Sequence, residues 1–543
     1  LARFNPLSHG IMPVAVDGGE PDQWLALQVA HAALADAGYA AEGGRPGHRA
    51  RTEVILGKGT YVNRGNMTVG YHGLIIEQLL QVLRELHPEH SEADLREIKR
   101  ELKASLPPFG ADTAPALIGN ILAGRIANRL DLMGPAYTVD GACASALLAT
   151  EIGMRSLLSR KCDMALVGGV HVNTPVPVFS LFCQLGALSR GEKIRPFDKE
   201  ADGTVLGEGL GMVVLKRRED AERDSDRIYA LIKGLGTSSD GRAVHVMAPR
   251  IEGEELALRR AYEMAGVSPA SIALVEAHGT ATPVGDVVEV QALRQVFGDR
   301  NGDSPRCALG SVKSMIGHTM PAAGIASLIK AALALHHKVL PATINCTEPN
   351  EKLELSKTPF YINTETRPWV HGRSDAPRRA GVNAFGFGGI NAHVVLEEYV
   401  SSRPHDRERS HLLAWETEVV VLEAESREGL SERIQEVLAF LDRAPQATLR
   451  DLAYTLNTSL ENGPCRLSIV ASTLEDLRAK LGHAANRLGS EGCRQIKDVS
   501  GIYFFENPVG RQGKLAVLFP GEGSQYANML LDLAIHFPEV RAC

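Results

Sequence analysis

From residue 1 to about residue 398, short runs of apolar and β-branched residues alternate with longer segments whose apolar positions recur every three or four residues. That alternation predicts an α/β domain. Strands are expected at Thr52 to Leu56, Met164 to Val172, Gly211 to Lys216, Ile272 to Glu276 and His393 to Glu397, with helices at Gln23 to Ala37 and Gly253 to Ala265. An amphipathic helical pair from Leu74 to Leu106 is broken at Pro88, and Ser91-x-x-Asp94 offers a capping-box start for its second member. That pair reads as packing or interface rather than chemistry. Ser401 to Ser410 is polar, charged and interrupted by Pro404, as a linker is. A smaller α/β segment follows, with strands at Glu418 to Ala424, Leu467 to Ser472 and Gly501 to Glu506 and helices at Glu428 to Asp442 and Leu474 to Leu488. Beyond Gln512 a strand is expected at Leu515 to Phe519, then a turn, then a helix from Tyr526 to Cys543, together the start of a third domain. No initiator Met opens the chain and it ends inside that expected helix, so a piece of a longer protein is expected.

Composition narrows the classes. The 543 residues suggest two to four domains, and 44% hydrophobic with 23% charged residues is ordinary for a globular chain. A net charge of -7 argues against nucleic-acid binding through bulk charge. No apolar run approaches the ~18 residues of a membrane span, and the N-terminus lacks signal-peptide architecture, so a cytoplasmic location is expected. The eight cysteines form no C-x-x-C pair, and neither a disulfide framework nor a zinc site is expected.

Candidate chemistry sits at the ends of strands. In Tyr137-Thr-Val-Asp140-Gly-Ala-Cys143-Ala-Ser-Ala, an apolar strand ends at Val139 and a helix begins just after Cys143. The unpaired N–H groups of that helix start are expected to lower the thiol pKa and favour a nucleophilic thiolate. A buried, inert cysteine is the plain alternative. Two histidine loops raise the stakes: Ala277-His278-Gly-Thr280-Ala-Thr282 follows a strand, and Lys313-Ser-Met-Ile-Gly317-His318 precedes a helix rich in small residues. Open α/β sheets carry reactive groups at such strand-end loops. Asn383-Ala-Phe385-Gly-Phe387-Gly-Gly389-Ile-Asn391-Ala-His393 adds a glycine-rich turn whose backbone N–H groups can approach a reacting oxygen. Dinucleotide binding fails on spacing, since Val62 and Met212 stand where a third glycine is required.

These four segments, in this order, resemble the signature blocks of β-ketoacyl synthases of the thiolase superfamily, specifically the ketosynthase domain of type I polyketide synthases. The resemblance covers residues 1-398, without the family's opening strand, and implies a thiolase-like αβαβα layered sandwich of two related halves. It further implies that residues 399-512 form the small α/β linker domain between ketosynthase and acyltransferase. Residues 513-543 would begin an acyltransferase, through Phe519-Pro-Gly-Glu-Gly-Ser-Gln-Tyr526, although no G-H-S-x-G nucleophile follows. Gly141 and Ala144 beside the cysteine, Ala281 in the HGTAT block and Met315 before Ile-Gly-His depart from the modular pattern. Together with Pro13 to Gln23, they resemble the iterative synthases related to polyunsaturated-fatty-acid, enediyne and heterocyst-glycolipid synthases.

The resemblance implies a role for each residue. Cys143 would accept an acyl chain from the phosphopantetheine arm of an acyl carrier protein. His278 and His318 would stabilise the enolate formed when a malonyl-type extender loses carbon dioxide, with Lys313 disfavouring their protonation. The backbone N–H groups of Cys143 and Phe387 would form the oxyanion hole. Thr280 and Thr282 would bind the pantetheine amides, or else only cap the following helix. Phe385 and Phe387 would gate the acyl pocket, with Phe179 and Phe182 lining it; core packing is the alternative for these rings. No cofactor or metal is expected to be bound. Expected partners are acyl carrier protein, downstream domains of the same polypeptide and a second copy in a homodimer, with no nucleic acid and no membrane span. Two other readings compete. A non-decarboxylating thiolase would need a second cysteine near the glycine-rich turn, where Ala384, Phe385 and Phe387 stand instead. A catalytically silent partner of chain-length-factor type would usually lack the cysteine or one histidine.

Overall fold

The computed structural model describes residues 4–39, 49–60, 63–107, 109–172, 174–300, 306–370, 376–400, 416–443, 447–461, 463–490, 492–506, 516–518, 521–537 and 540–541. The chain divides into two compact units, Leu1–Arg407 and Glu408–Cys543. The expected linker at Ser401 to Ser410 lies outside the described residues.

The first unit is built on two sheets of related design. In one, β1 (Thr52–Lys58) pairs in parallel with β2 (Ala136–Val139) and with β3 (Met164–His171), and β3 pairs antiparallel with β4 (Gly209–Leu215). The other repeats that plan. There β6 (Leu274–Glu276) runs parallel to β7 (Cys307–Gly310) and to β11 (Arg379–Gly386), which turns back antiparallel as β12 (Ile390–Glu397). Two further strands extend the second sheet, β5 (Leu231–Ser239) beside β12 and β9 (Phe360–Ile362) beside β7. A short ribbon joins β8 (Val339–Leu340) to β10 (Arg367–Pro368). Among the described residues no strand pairs with the outer edge of β4, the position that β5 fills against β12.

Strands covered on both faces read as unbroken apolar runs, which is why β3 is buried along its full length. Helices Pro21–Asp36 and Ile121–Leu130 pack on the outer face of the first sheet. Helices Ser145–Leu158 and Ala323–His337 lie between the sheets, and Ile251–Ala265 and Gly285–Phe297 cover the outer face of the second. The result is the expected αβαβα layering. The helical pair forms as Ile76–Leu86 and Glu92–Ser105, with the Ser91/Asp94 capping box closed and its own small core at Ile76, Leu80 and Leu95.

The second unit is a four-stranded antiparallel sheet in the order β13 (Glu418–Ala424), β14 (Cys465–Ala471), β16 (Ile502–Phe505), β15 (Gln495–Asp498). In β14 alternate residues Cys465, Leu467, Ile469 and Ala471 are buried, the mark of a sheet with one covered face. Helices Arg427–Arg443, Leu449–Thr458 and Leu474–Leu488 supply the cover.

Two expectations near the C-terminus are corrected. Ala516, Val517 and Leu518 are not a strand, because no neighbouring edge receives their backbone groups among the described residues. Of the helix expected from Tyr526, Leu531–His536 forms, and 540–541 are helical as well, but the segment before Leu531 is made of turns, with Asn528 and Leu530 at positive φ. No helix among the described residues is long and apolar enough to cross a membrane.

Candidate active site

Cys143 sits in a 3-10 turn, Ala142–Ala144, between β2 and helix Ser145–Leu158. The turn is tied by its own side chains. Asp140 accepts the Ala142 N–H through one oxygen (2.9 Å) and the Thr60 hydroxyl through the other (2.8 Å). Ser145 Oγ donates to the Ala142 carbonyl (2.6 Å) and accepts the Gly141 N–H (2.9 Å). Ala142 is thereby held at φ 48°, and the thiol is directed into the layer between the sheets, where Cys143 is 3% exposed.

The second histidine loop ends at that thiol. His318 Nε2 lies 3.1 Å from Cys143 Sγ. Its other ring nitrogen, Nδ1, accepts the Met320 N–H at 3.3 Å, so the ring proton resides on Nε2 and points at the sulfur. His278 meets His318 edge to face, with centroids 5.5 Å apart. Sγ and one ring nitrogen of each histidine lie within 4.8 Å of one another. A soft metal could use such a set, but the Met320 amide leaves His318 Nε2 a donor rather than a ligand.

Two backbone N–H groups, of Phe387 and of Cys143 itself, also address the sulfur. Phe387 begins the turn between β11 and β12, and the turn comes this close because residue 386 is glycine. A Cβ there would stand 2.6 Å from the Gly141 carbonyl oxygen and 3.3 Å from the Cys143 nitrogen.

Burial dominates the electrostatics. It pushes the Cys143 thiol up to about 11, although Lys313 and the two N–H groups pull the other way. The expectation of a lowered thiol pKa is therefore corrected: the lost hydration of a thiolate outweighs Lys313 and the two N–H groups together. Burial, then the charge of Lys313, holds both His278 and His318 well below the usual imidazole range, so both are neutral near pH 7. Lys313 is itself buried, and its Nζ donates to the His278 carbonyl oxygen at 2.5 Å.

The remaining sequence candidates divide. Phe385 packs its ring 5.8 Å from that of His278. Phe387 is partly exposed and stacks at 5.9 Å on Phe182, which is buried. Phe179, on the same helix as Phe182 (Val176–Gln184), is 41% exposed. Thr280 and Thr282 hydroxyls lie 3.2 Å apart, and Thr282 accepts the Gly285 N–H at the start of a helix, the capping arrangement that was the plainer alternative.

Sequence reading missed the carboxylates behind the site. Glu289 accepts the N–H groups of His278 (2.7 Å) and Gly279 (2.8 Å), and Asp286 accepts those of Ala281 (3.1 Å) and Phe197 (2.8 Å). Their spacing of three on helix Gly285–Phe297 puts both on the face turned to the loop, the one signal the sequence carried.

Comparison with known proteins follows the same blocks. The model of the β-ketoacyl synthase N-terminal domain matches residues 1–221, that of its C-terminal domain residues 229–347, and that of the ketoacyl-synthetase C-terminal extension residues 349–466. The chain is similar to a polyunsaturated fatty acid synthase polypeptide of a Thraustochytrium species, 36% identical over 83% of this chain and 16% of that protein. It is also similar to the polyketide synthase PksN of Bacillus subtilis, 35% identical over 90% of this chain and 8% of that protein. The chain thus spans only a small part of these relatives. Among solved structures, the ketosynthase from module 6 of the bacillaene synthase of Bacillus subtilis shares 33% identity, with a TM-score of 0.62 over 89% of this chain and 76% of that one. The ketosynthase from module 1 of the bacillaene synthase of Bacillus amyloliquefaciens shares 29%, with a TM-score of 0.58 over 93% and 81%.

Proposed function

Since the chain belongs to the β-ketoacyl synthases, enzymes that form carbon–carbon bonds by condensation, we propose that Cys143, His278 and His318 carry out a decarboxylative Claisen condensation on acyl groups delivered by acyl carrier protein. The observation that carries this is the meeting of Cys143 Sγ with His318 Nε2 at 3.1 Å, with a ring nitrogen of His278 within 4.8 Å of both.

In the first half-reaction the Cys143 sulfur attacks the thioester carbonyl at the end of a phosphopantetheine arm. A new C–S bond forms, the pantetheine thiolate leaves, and the cysteine proton returns to it, giving an acyl-enzyme. In the second, a malonyl-type extender loses carbon dioxide while the neutral imidazoles of His278 and His318 donate hydrogen bonds to the thioester oxygen, where enolate charge develops. Lys313 keeps those rings in the donor form by opposing a second proton. The enolate carbon attacks the acyl-Cys143 carbonyl. The N–H groups of Cys143 and Phe387 hold the resulting oxyanion, which collapses to a β-ketoacyl thioester and frees the sulfur.

Phe385 and Phe387 border this space, Phe182 supports Phe387, and the Thr280 and Thr282 hydroxyls are offered to the pantetheine amides. The working unit is a homodimer acting in the cytoplasm with downstream domains of the same polypeptide. Residues 1-398 form the condensing domain, 399-512 a linker domain and 513-543 the opening of an acyltransferase. Similarity to the polyunsaturated fatty acid synthase supports an iterative type. The silent-partner reading is disfavoured because all three polar side chains meet, and the thiolase reading because the turn after β11 offers Phe387, Gly388 and Gly389 but no cysteine.

The test is intact-protein mass spectrometry on wild type and Cys143→Ala after incubation with a panel of acyl-pantetheine thioesters, followed by malonyl carrier protein. Acyl mass on wild type alone, then a β-ketoacyl product, is expected. A folded protein that accepts no acyl group across the panel would make the silent partner the better reading.

A further inference from the structure

Behind His278 runs a row of buried polar side chains that the condensation as written does not use. Tyr262, His393, Asn383 and Glu289 reach from helix Ile251–Ala265, across β12 and β11, to helix Gly285–Phe297, and all four are buried. Tyr262 Oη lies 3.1 Å from His393 Nε2, His393 Nδ1 lies 2.5 Å from Asn383 Oδ1, and Asn383 Nδ2 lies 2.8 Å from Glu289 Oε1. His393 and Asn383 are directly opposed across the antiparallel pair, so the hairpin register itself sets the middle link.

The chemistry of the groups fixes the direction of every bond. A carboxylate only accepts, so the amide nitrogen of Asn383 faces Glu289 and its oxygen faces His393. His393 Nδ1 therefore carries the ring proton, and Nε2 is left to accept the Tyr262 hydroxyl. All three donors point toward Glu289, whose carboxylate also accepts the N–H groups of His278 and Gly279. On the other side, Lys313 holds the His278 carbonyl. The backbone of His278 is gripped at both ends, and the row behind Glu289 braces one of the grips. Space for it is built in: a Cβ at Gly381 would stand 2.7 Å from His393 Cε1 and 3.3 Å from Tyr262 Oη. Burial holds the His393 ring neutral, at about 3, so Nε2 stays free to accept the Tyr262 hydroxyl near neutral pH.

We propose that His393 is a positioning residue for the decarboxylation half-reaction, acting through Asn383 and Glu289 to set the His278 ring against the extender's thioester oxygen. This rests on the role assigned to His278 above. Acyl transfer to Cys143 does not use His278, so loss of the row slows release of carbon dioxide and spares loading.

The test uses the full chain and two separate readouts: acylation of Cys143 by a short saturated acyl-pantetheine, followed by intact mass, and carbon dioxide release from malonyl-pantetheine. In His393→Gln the amide falls at the Nε2 position and the donor to Asn383 is lost, whereas in His393→Asn the amide reproduces the Nδ1 donor. His393→Gln should load at the wild-type rate yet release carbon dioxide about 10- to 100-fold more slowly, with His393→Asn recovering most of that loss. Tyr262→Phe, which removes one hydroxyl and keeps the ring packing, should show a smaller fall in the same readout alone. Unchanged carbon dioxide release in folded His393→Gln or Tyr262→Phe overturns the proposal. So does an equal fall of loading and release in His393→Gln and His393→Asn alike, which marks a merely structural residue. Wild type that neither loads nor releases carbon dioxide overturns the condensing reading, and this proposal with it.

Discussion

His318 turns its Nε2 proton toward Cys143 Sγ at 3.1 Å because the Met320 amide occupies the opposite ring nitrogen. A histidine fixed this way is a hydrogen-bond donor at the reacting centre rather than a base waiting for the thiol proton. Removing it should therefore hurt the step that develops negative charge on oxygen more than the step that loads the cysteine. His318→Ala is expected to lower carbon dioxide release from malonyl thioester by about 10²- to 10³-fold, the usual loss for one such donor. Acyl-Cys143 should still accumulate by intact mass spectrometry, and an equal loss of both steps would contradict the donor role.

The raised thiol pKa gives a test by pH. With the group at about 11, the thiolate fraction grows about tenfold per pH unit from pH 7 upward, without the plateau near pH 8.5 of a free cysteine. Alkylation by iodoacetamide, followed at the Cys143 peptide because Cys183 is exposed, should rise in that way up to at least pH 10. Lys313→Met removes a charge that favours the thiolate, so at any fixed pH its Cys143 should react more slowly than wild type.

Gly386 is the contact point between the hairpin turn and the cysteine turn. Its replacement by alanine forces a methyl group to within 2.6 Å of the Gly141 carbonyl. A cost of about 1 to 3 kcal/mol in stability is expected from overpacking, together with slower loading of Cys143, since the Phe387 N–H is displaced. Urea denaturation and the loading rate measure the two effects.

Buried neutral histidines make the fold acid-sensitive. His393 titrates at about 3 and His171 and His336 at about 4, with His278 and His318 also depressed. The unfolded chain binds protons at these sites below about pH 6.5 while the folded chain does not, so stability falls as pH drops from 6.5 toward the folded values. Asp286, raised to about 7, and Glu289, raised by burial, act in the opposite sense, since the folded state holds their protons at a pH where the unfolded state has released them. Glu20, Asp240 and Glu254, also raised by burial, join these carboxyls, making five against six depressed histidines once His9 is counted, and the urea midpoint should be lower at pH 5.5 than at pH 7.

Much of the scaffold was legible because it is written in local periodicity. β3, all of it buried, shows as an apolar run, and β14 shows as alternation broken only at Val470. Cys143, His278, His318 and the turn after β11 stood out because reactive side chains beside glycines at strand ends are uncommon in a purely structural segment. Glu289 and His393 did not stand out. A carboxylate on an amphipathic helix and a histidine in an apolar strand each have a plain reading, and only the hydrogen bonds that converge on them say otherwise.

By itself, then, the sequence determined most of the order of strands and helices, because propensity and hydrophobic period act over a few neighbouring residues. Tertiary structure decided what depends on distant parts of the chain. It brought Cys143 against His318, 175 positions away, and it aligned Tyr262 with Glu289 through two strands. Among the described residues it left Ala516 to Leu518 without the partner edge a strand requires. It also reversed the direction of the Cys143 pKa, since the helix start acts from one side while desolvation is the sum over every group that closes around the sulfur.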